Sequence, residues 1–301
     1  MKRKILTLVL AAILFLLSLG LTLYPVISNY VNQRYASEIH TAYQEVIEQT
    51  DDTELLKARE LAVAYNIAIT PGTAAEDSYS QEALLAASED YESLLNIAGD
   101  GIMGYVEIPK ISVSLPIYHG TGNDSLDRGV GHLLGSSLPV GGENTHCILT
   151  GHSGLATQKM FTDLEQLVIG DIFYLNVLGE TLAYQVGEIN TVLPYDTSLL
   201  GIAPGEDYCT LVTCTPYGVN THRLLVRGTR IPYEEAEVLV EEAMQEEQPQ
   251  SSWEQKYLQG LYIGVIAAVG MAVFVIAAIQ IRRKFSSNGR YTNHGGECHA
   301  Q

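Results

Sequence analysis

The chain has 301 residues, with 35 acidic against 17 basic side chains, a formal net charge of −18 and four cysteines. That length holds one sizeable domain plus appendages, and so acidic a surface repels phosphate backbones, which sets nucleic acid aside as a partner. Four cysteines with no C-x-x-C pair make neither a dense disulfide framework nor a zinc pattern.

Lys2-Arg3-Lys4 precede an uncharged, Leu-rich run from Ile5 to Leu23, about long enough to cross a hydrocarbon core of roughly 30 Å as a helix. A cleaved signal peptide is the competing reading. Against it, the run is long and the following Leu-Tyr-Pro-Val-Ile-Ser has no small-x-small cleavage site. A basic tip and anchor are therefore expected over 1–28, and a helical segment over 29–98. Within the latter, Tyr43, Val46, Ile47, Leu55, Leu56, Leu61 and Ala64 recur at mixed spacings of three and four. Asp51-Asp52-Thr53 reads as a turn that caps a second helix. Pro71-Gly72-Thr73 breaks the pattern before a loop at 74–80 and a short helix over Gln81 to Ser88.

From Gly104 the character changes to short runs rich in Val, Ile, Leu, Thr and Tyr between Gly, Pro and Asn turns. Strands are expected at Gly104–Ile108, Leu115–Tyr118, His146–Thr150, Ile172–Val177, Thr181–Ile189, Tyr208–Thr213 and Leu224–Ile231. Seven or eight short strands in about 130 residues describe a barrel or sandwich, with Met160 to Leu167 as a short crossover helix. An acidic, Gln-rich tether over 234–257 leads to a second uncharged run, 258–281, and a tail, 282–301, that opens on Arg282-Arg283-Lys284. Basic clusters at the outer end of both runs place both termini in the cytoplasm and 29–257 outside. That outer part holds 10 basic against 34 acidic residues, a net −24, which suits solubility on a crowded surface.

Cys214 closes the run Thr210-Leu211-Val212-Thr213-Cys214, Arg223 opens the next, and an upstream strand ends in Thr150-Gly151-His152. A thiol becomes an effective nucleophile when an imidazole or cation favours its thiolate. A guanidinium is a fixed positive fork suited to the charge that develops on a carbonyl oxygen. From spacing alone, a buried strand-end cysteine beside an ordinary arginine and histidine competes with this constellation. Cys298 falls on the cytoplasmic side, which leaves an odd three outside, so at least one thiol there is free or pairs with another molecule. Gly151-His152-Ser153-Gly154 fails as a serine nucleophile elbow, since Leu155 stands where Gly is required. His119, His132, His146 and His222 read as structural or surface groups, and neither a metal nor a cofactor is expected. Cys147 and Cys209 each lie five residues before His152 and Cys214. On parallel neighbouring strands they would sit side by side, facing away from the reactive pair. They read as two small apolar side chains or as a disulfide or redox pair.

Together, Thr210-Leu211-Val212-Thr213-Cys214 with Arg223, and Thr150-Gly151-His152, resemble the signature of sortases, the surface transpeptidases of Gram-positive bacteria. Gly99–Gly104, Ile108-Pro109-Lys110-Ile111, Pro116–Thr121, Gly129–Leu133 and Cys214–Arg223 extend the likeness to the class C, pilus-assembling branch. The resemblance implies a mainly β fold, a sortase-like eight-stranded β-barrel with short helices over 99–233, preceded by the helical segment and a lid, with two flanking transmembrane helices. It implies catalytic roles for Cys214, His152 and Arg223, and a lid in which Asp77 faces Arg223 and Tyr79 covers Cys214. Ser78 stands where that branch usually has Pro, so φ is not fixed there and a looser lid is expected. The implied partners are the lipid bilayer and secreted pilin or surface-protein substrates with LPXTG-like signals, and the implied location is the cell membrane with the catalytic domain extracytoplasmic. A housekeeping enzyme attaching proteins to peptidoglycan, a cysteine hydrolase and a non-enzymatic surface scaffold remain as alternatives.

Overall fold

The structure is a computed structural model and describes residues 2–68, 91–153, 158–245, 259–266, 268 and 270. Asp77, Ser78, Tyr79 and the helix expected over Gln81 to Ser88 lie outside the described residues. The chain divides into two units, 1–251 and 252–301, and in the second the described residues 259–266 are helical. Among the described residues no helix is long and apolar enough to cross a membrane, so neither expected span is established by the fold.

Helix α1 runs over Lys2–Gln49, and the apolar side chains near its start, Leu6, Phe15, Leu16 and Leu21 among them, are exposed. Its last turns behave differently. Tyr43 and Ile47 are buried, and the Tyr43 hydroxyl donates to Met103 O at 3.3 Å and accepts from Leu178 N at 3.2 Å. The His40 ring lies 4.4 Å from that of Tyr105. Helix α2, Asp52–Ala68, starts where the sequence indicates, because Asp51 Oδ1 accepts from Thr53 N at 2.8 Å and so satisfies a free amide of the first turn. Near its other end Asn66 bonds both backbone groups of Leu138, at 3.2 and 2.7 Å.

Eight strands follow: β1 Ile102–Ile108, β2 Val113–His119, β3 Val130–His132, β4 Thr145–Thr150, β5 Ile172–Val177, β6 Glu180–Val192, β7 Asp207–Thr215 and β8 His222–Ile231. They close into a barrel in the order β1-β2-β3-β4-β7-β8-β6-β5, with β2–β3 and β4–β7 parallel and the other pairs antiparallel. Closure leaves no open sheet edge. Strand alternation builds two apolar layers. Cys147, Leu149, Cys209, Leu211, Leu224 and Val226 face the main core, while Ile148, Val212 and Leu225 face outward and are covered by Leu199 and Leu200. Inside, the Phe173 and Tyr184 rings stack at 5.5 Å. Gly228 admits them, since a Cβ there would stand 2.5 Å from the Phe173 ring. Each such buried ring contributes about 2 kcal/mol or more through removal of apolar area from water.

Two further helices are found among the described residues of the first unit. Helix α3 is Asn123–Leu126 in the β2–β3 connection, and α4 is Tyr233–Gln245, which packs Ala236, Leu239 and Val240 against Ile172, Tyr174 and Ala183. The crossover helix expected over Met160 to Leu167 is instead a turn followed by a 3-10 turn at Leu164–Gln166. Phe161 and Leu164 are drawn into the core, and buried Asp163 pairs with Lys159 at 3.2 Å. These tertiary contacts override local helical preference. Strand β3, with only three residues, was not expected as a separate element.

Candidate active site

The antiparallel register of β7 and β8 sets Cys214 directly opposite Arg223. Directly opposed residues of an antiparallel pair share one face, with Cβ atoms roughly 5 Å apart. That face is the outer one, because Val212 and Leu225, each two residues further along, belong to the outer apolar layer. The thiol and the guanidinium are therefore side by side on the barrel wall, both half-buried. Arg223 also donates from Nη1 to His222 O at 3.1 Å.

His152 lies two residues past β4. The parallel register with β7 pairs Thr150 with Val212, and three hydrogen bonds carry that alignment past the strand end. Gly151 N donates to Val212 O at 3.0 Å, Thr213 Oγ1 to Gly151 O at 2.8 Å, and Ser153 Oγ to Cys214 O at 2.6 Å. His152 is thus clamped on both sides at the level of Cys214. Gly151 is required for close packing, since a Cβ there would stand 2.7 Å from the buried Phe161 ring. The His152 imidazole is half-buried, with Nε2 3.7 Å from Asp127 Oδ1. Sequence reasoning passed over Asp127, and weighed Ser153 only as a nucleophile, not as a clamp on Cys214. Asp127 is far from His152 in the chain and belongs to no motif, and the chain closure alone brings the two together.

Below this level the outer face is rigidly held. His146 Nδ1 donates to Gly201 O at 2.9 Å and its Nε2 accepts from Thr210 Oγ1 at 2.7 Å, which ties the β6–β7 connection to the wall. Burial pushes the His146 pKa down to about 4, so this imidazole is neutral. Further along, Arg227 stacks over Tyr208 at 4.7 Å and pairs with Glu188. At the upper end, Thr215 Oγ1 donates to Glu165 Oε1 at 2.7 Å, and the Thr215–Pro216 bond is cis. Tyr217 and Val219, in the β7–β8 connection, stand exposed.

Cys147 and Cys209 are direct partners across β4–β7, buried in the core as free thiols. The side-by-side placement and opposite facing expected from the count of five are both seen, and the disulfide is not formed. Burial, then the contact with Cys147, pushes the Cys209 thiol well above its ordinary range. Among the described residues no group of three or more His, Cys, Asp or Glu could hold a metal ion. Chemically, the outer site offers a nucleophilic sulfur, an imidazole that can move a proton and a cation that can hold an oxyanion.

The family profile described as Sortase domain matches residues 106–231. Sortase A of Streptococcus agalactiae serotype III (strain NEM316) is 30% identical over 154 residues, which cover 50% of this chain and 59% of that protein. The chain thus spans about three-fifths of the length of that curated relative. Among solved structures, sortase C of Streptococcus pneumoniae is 46% identical with a TM-score of 0.57, covering 65% of this chain and 97% of the other. That structure was described for its insight into catalysis and pilin substrate specificity. Sortase C1 of GBS pilus island 1 is 44% identical with a TM-score of 0.58, covering 66% and 93%.

Proposed function

Given that the chain belongs to the sortase family of cysteine transpeptidases, with class C sortases as structural neighbours, we propose that it polymerises pilins. In this reading an LPXTG-like sorting signal lies along the outer face of β4, β7 and β8. Cys214 Sγ attacks the threonine carbonyl carbon, Arg223 holds the developing oxyanion, and His152 protonates the departing amine. A lysine amine of the next pilin then resolves the thioester to an isopeptide bond. The thioester conserves the energy of the cleaved amide, so the transfer needs no nucleotide.

One observation carries this reading: Cys214 and Arg223 are cross-strand partners, with His152 fastened at their level by bonds from Gly151, Thr213 and Ser153. A scaffold would have no use for that alignment. The acidic, uncharged-run and basic-cluster pattern supports anchoring at both ends with the barrel outside the cell, and the exposed apolar side chains early in α1 fit a lipid environment. Tethering would hold the enzyme near membrane-retained substrates and raise their effective concentration. The lid role of Asp77 and Tyr79 rests on the sequence alone.

The test uses the full chain in detergent micelles with a labelled LPXTG peptide. Mass spectrometry should find an acyl adduct on Cys214, which a lysine amine releases as an amide. Peptide cleavage without that adduct, or cleavage retained by Cys214→Ala, would sink the reading.

A further inference from the structure

On the side of His152 away from β7 and β8, a cleft of about 450 Å³ opens between α1, the start of β2, the end of the β2–β3 connection and residues 158–160. Its apolar lining comes from Ile39, Val113, Leu115 and Met160. Asp127 stands at its edge, and the same carboxylate is the one 3.7 Å from His152 Nε2. This carboxylate therefore links the cleft's edge to the imidazole.

The charges around it are not equivalent. Arg128 is laid over the Tyr118 ring at 4.2 Å. Lys159 donates to Ile111 O at 2.6 Å and pairs with buried Asp163 at 3.2 Å. His40 faces Glu107 at 3.6 Å and the Tyr105 ring. Both fixed cations of the cleft thus already hold protein partners. Asp127, its side chain 68% exposed, is the acid presented to an incoming ligand.

Resting on the transpeptidase reading above, we propose that this cleft is the amine subsite: it takes the side chain of the incoming lysine, with Asp127 drawing the ammonium toward His152. The occupant follows from charge and shape, because a lysine has a flexible four-carbon apolar stem that suits the lining and a point cation that suits the carboxylate. It follows also from the reaction. A second substrate must deliver its nitrogen beside the group that removes its proton, and the acyl donor occupies the opposite flank, where Cys214 and Arg223 stand. The lysine ammonium loses one proton to water. Its nitrogen then bonds to the thioester carbonyl carbon, His152 takes the second proton, and the carbon–sulfur bond breaks, leaving the Cys214 thiolate beside an imidazolium.

Ser114 lines the cleft and is exposed, so Ser114→Lys would place a like charge and added bulk there. The experiment acylates the full chain in micelles with the LPXTG peptide and measures release of the acyl group by two nucleophiles. One is an N-acetyl-lysine amide, cationic and long; the other is hydroxylamine, small and neutral. Ser114→Lys should lower the ratio of lysine to hydroxylamine release roughly ten-fold. Asp127→Asn should lower it roughly five-fold through a raised KM for the lysine amide, with Asp127→Glu restoring it. A merely structural role would slow both nucleophiles alike. Unchanged ratios in both variants, on protein that acylates normally, would overturn the subsite; failure of the unaltered chain to acylate would instead overturn the transpeptidase reading.

Discussion

Cys209 and Cys214 lie on the same strand, β7, and face opposite sides of the barrel wall. Cys209 is fully buried against Cys147, among Leu149, Leu211 and Val226. Cys214 is half-buried at the strand's upper end, opposite a guanidinium and level with an imidazole. The two thiols are chemically identical, and a separation of five residues puts one in the packed interior and the other in the candidate active site. An odd spacing reverses the face, and the face decides whether the sulfur meets hydrocarbon or charge. Interior substitutions should then change stability, and outer-face substitutions chemistry.

The largest effect tests the contrast itself. Cys214→Ala should lower cleavage of an LPXTG peptide by roughly 10⁴-fold or more, whereas Cys209→Ala should retain turnover; comparable losses in the two would erase the distinction. Next comes Arg223→Lys, which keeps the charge but loses the planar fork. A fall in kcat of about 10²-fold is expected, with no matching loss in Tm.

Stability at two buried histidines of the barrel wall, His132 and His146, should depend on pH in a defined window. Burial lowers the pKa of His132 and of His146 from 6.5 to about 4. Unfolded, both bind protons near 6.5; folded, they do not until about 4, so the unfolded state holds more protons between these values. Stability is therefore fully present above 6.5 and is lost as pH falls toward 4, by on the order of 3 kcal/mol for each group. Urea titrations across that range should show the slope, and His132→Gln should remove part of it.

The smallest expected effect sharpens the comparison at Cys209. Its raised folded pKa keeps the thiol neutral while the unfolded thiol ionises above about 8.5. Stability should accordingly decline as pH rises past that value, and less so in Cys209→Ala, which itself costs about 1 kcal/mol. Iodoacetamide should label Cys214 in the folded protein and reach Cys147 and Cys209 only after denaturation. Early labelling of Cys209 would show that the interior layer opens readily.

Much of the barrel was legible because strand composition is a local signal: short runs rich in Val, Ile, Leu, Thr and Tyr between Gly, Pro and Asn turns, Tyr208–Thr213 among them, spell strands before any partner is known. The parallel pairing of Cys147 with Cys209 could be reasoned from equal spacing to His152 and Cys214. Strand β3 escaped notice because three residues flanked and interrupted by glycine carry too little pattern. Residues 160–167 read as a helix because the pull of Phe161 and Leu164 into the core, and the Lys159–Asp163 pair, are visible only in three dimensions.

What the chain alone decided is the character of each strand and the residue types at their ends, since side-chain period and turn chemistry act between near neighbours. Which ends meet was decided by closure of the barrel. Asp127 stands beside His152, and Ser153 holds the carbonyl of Cys214, because β4 lies between β3 and β7. Contacts across such separations are repaid only when the whole sheet closes, and no local pattern announces them.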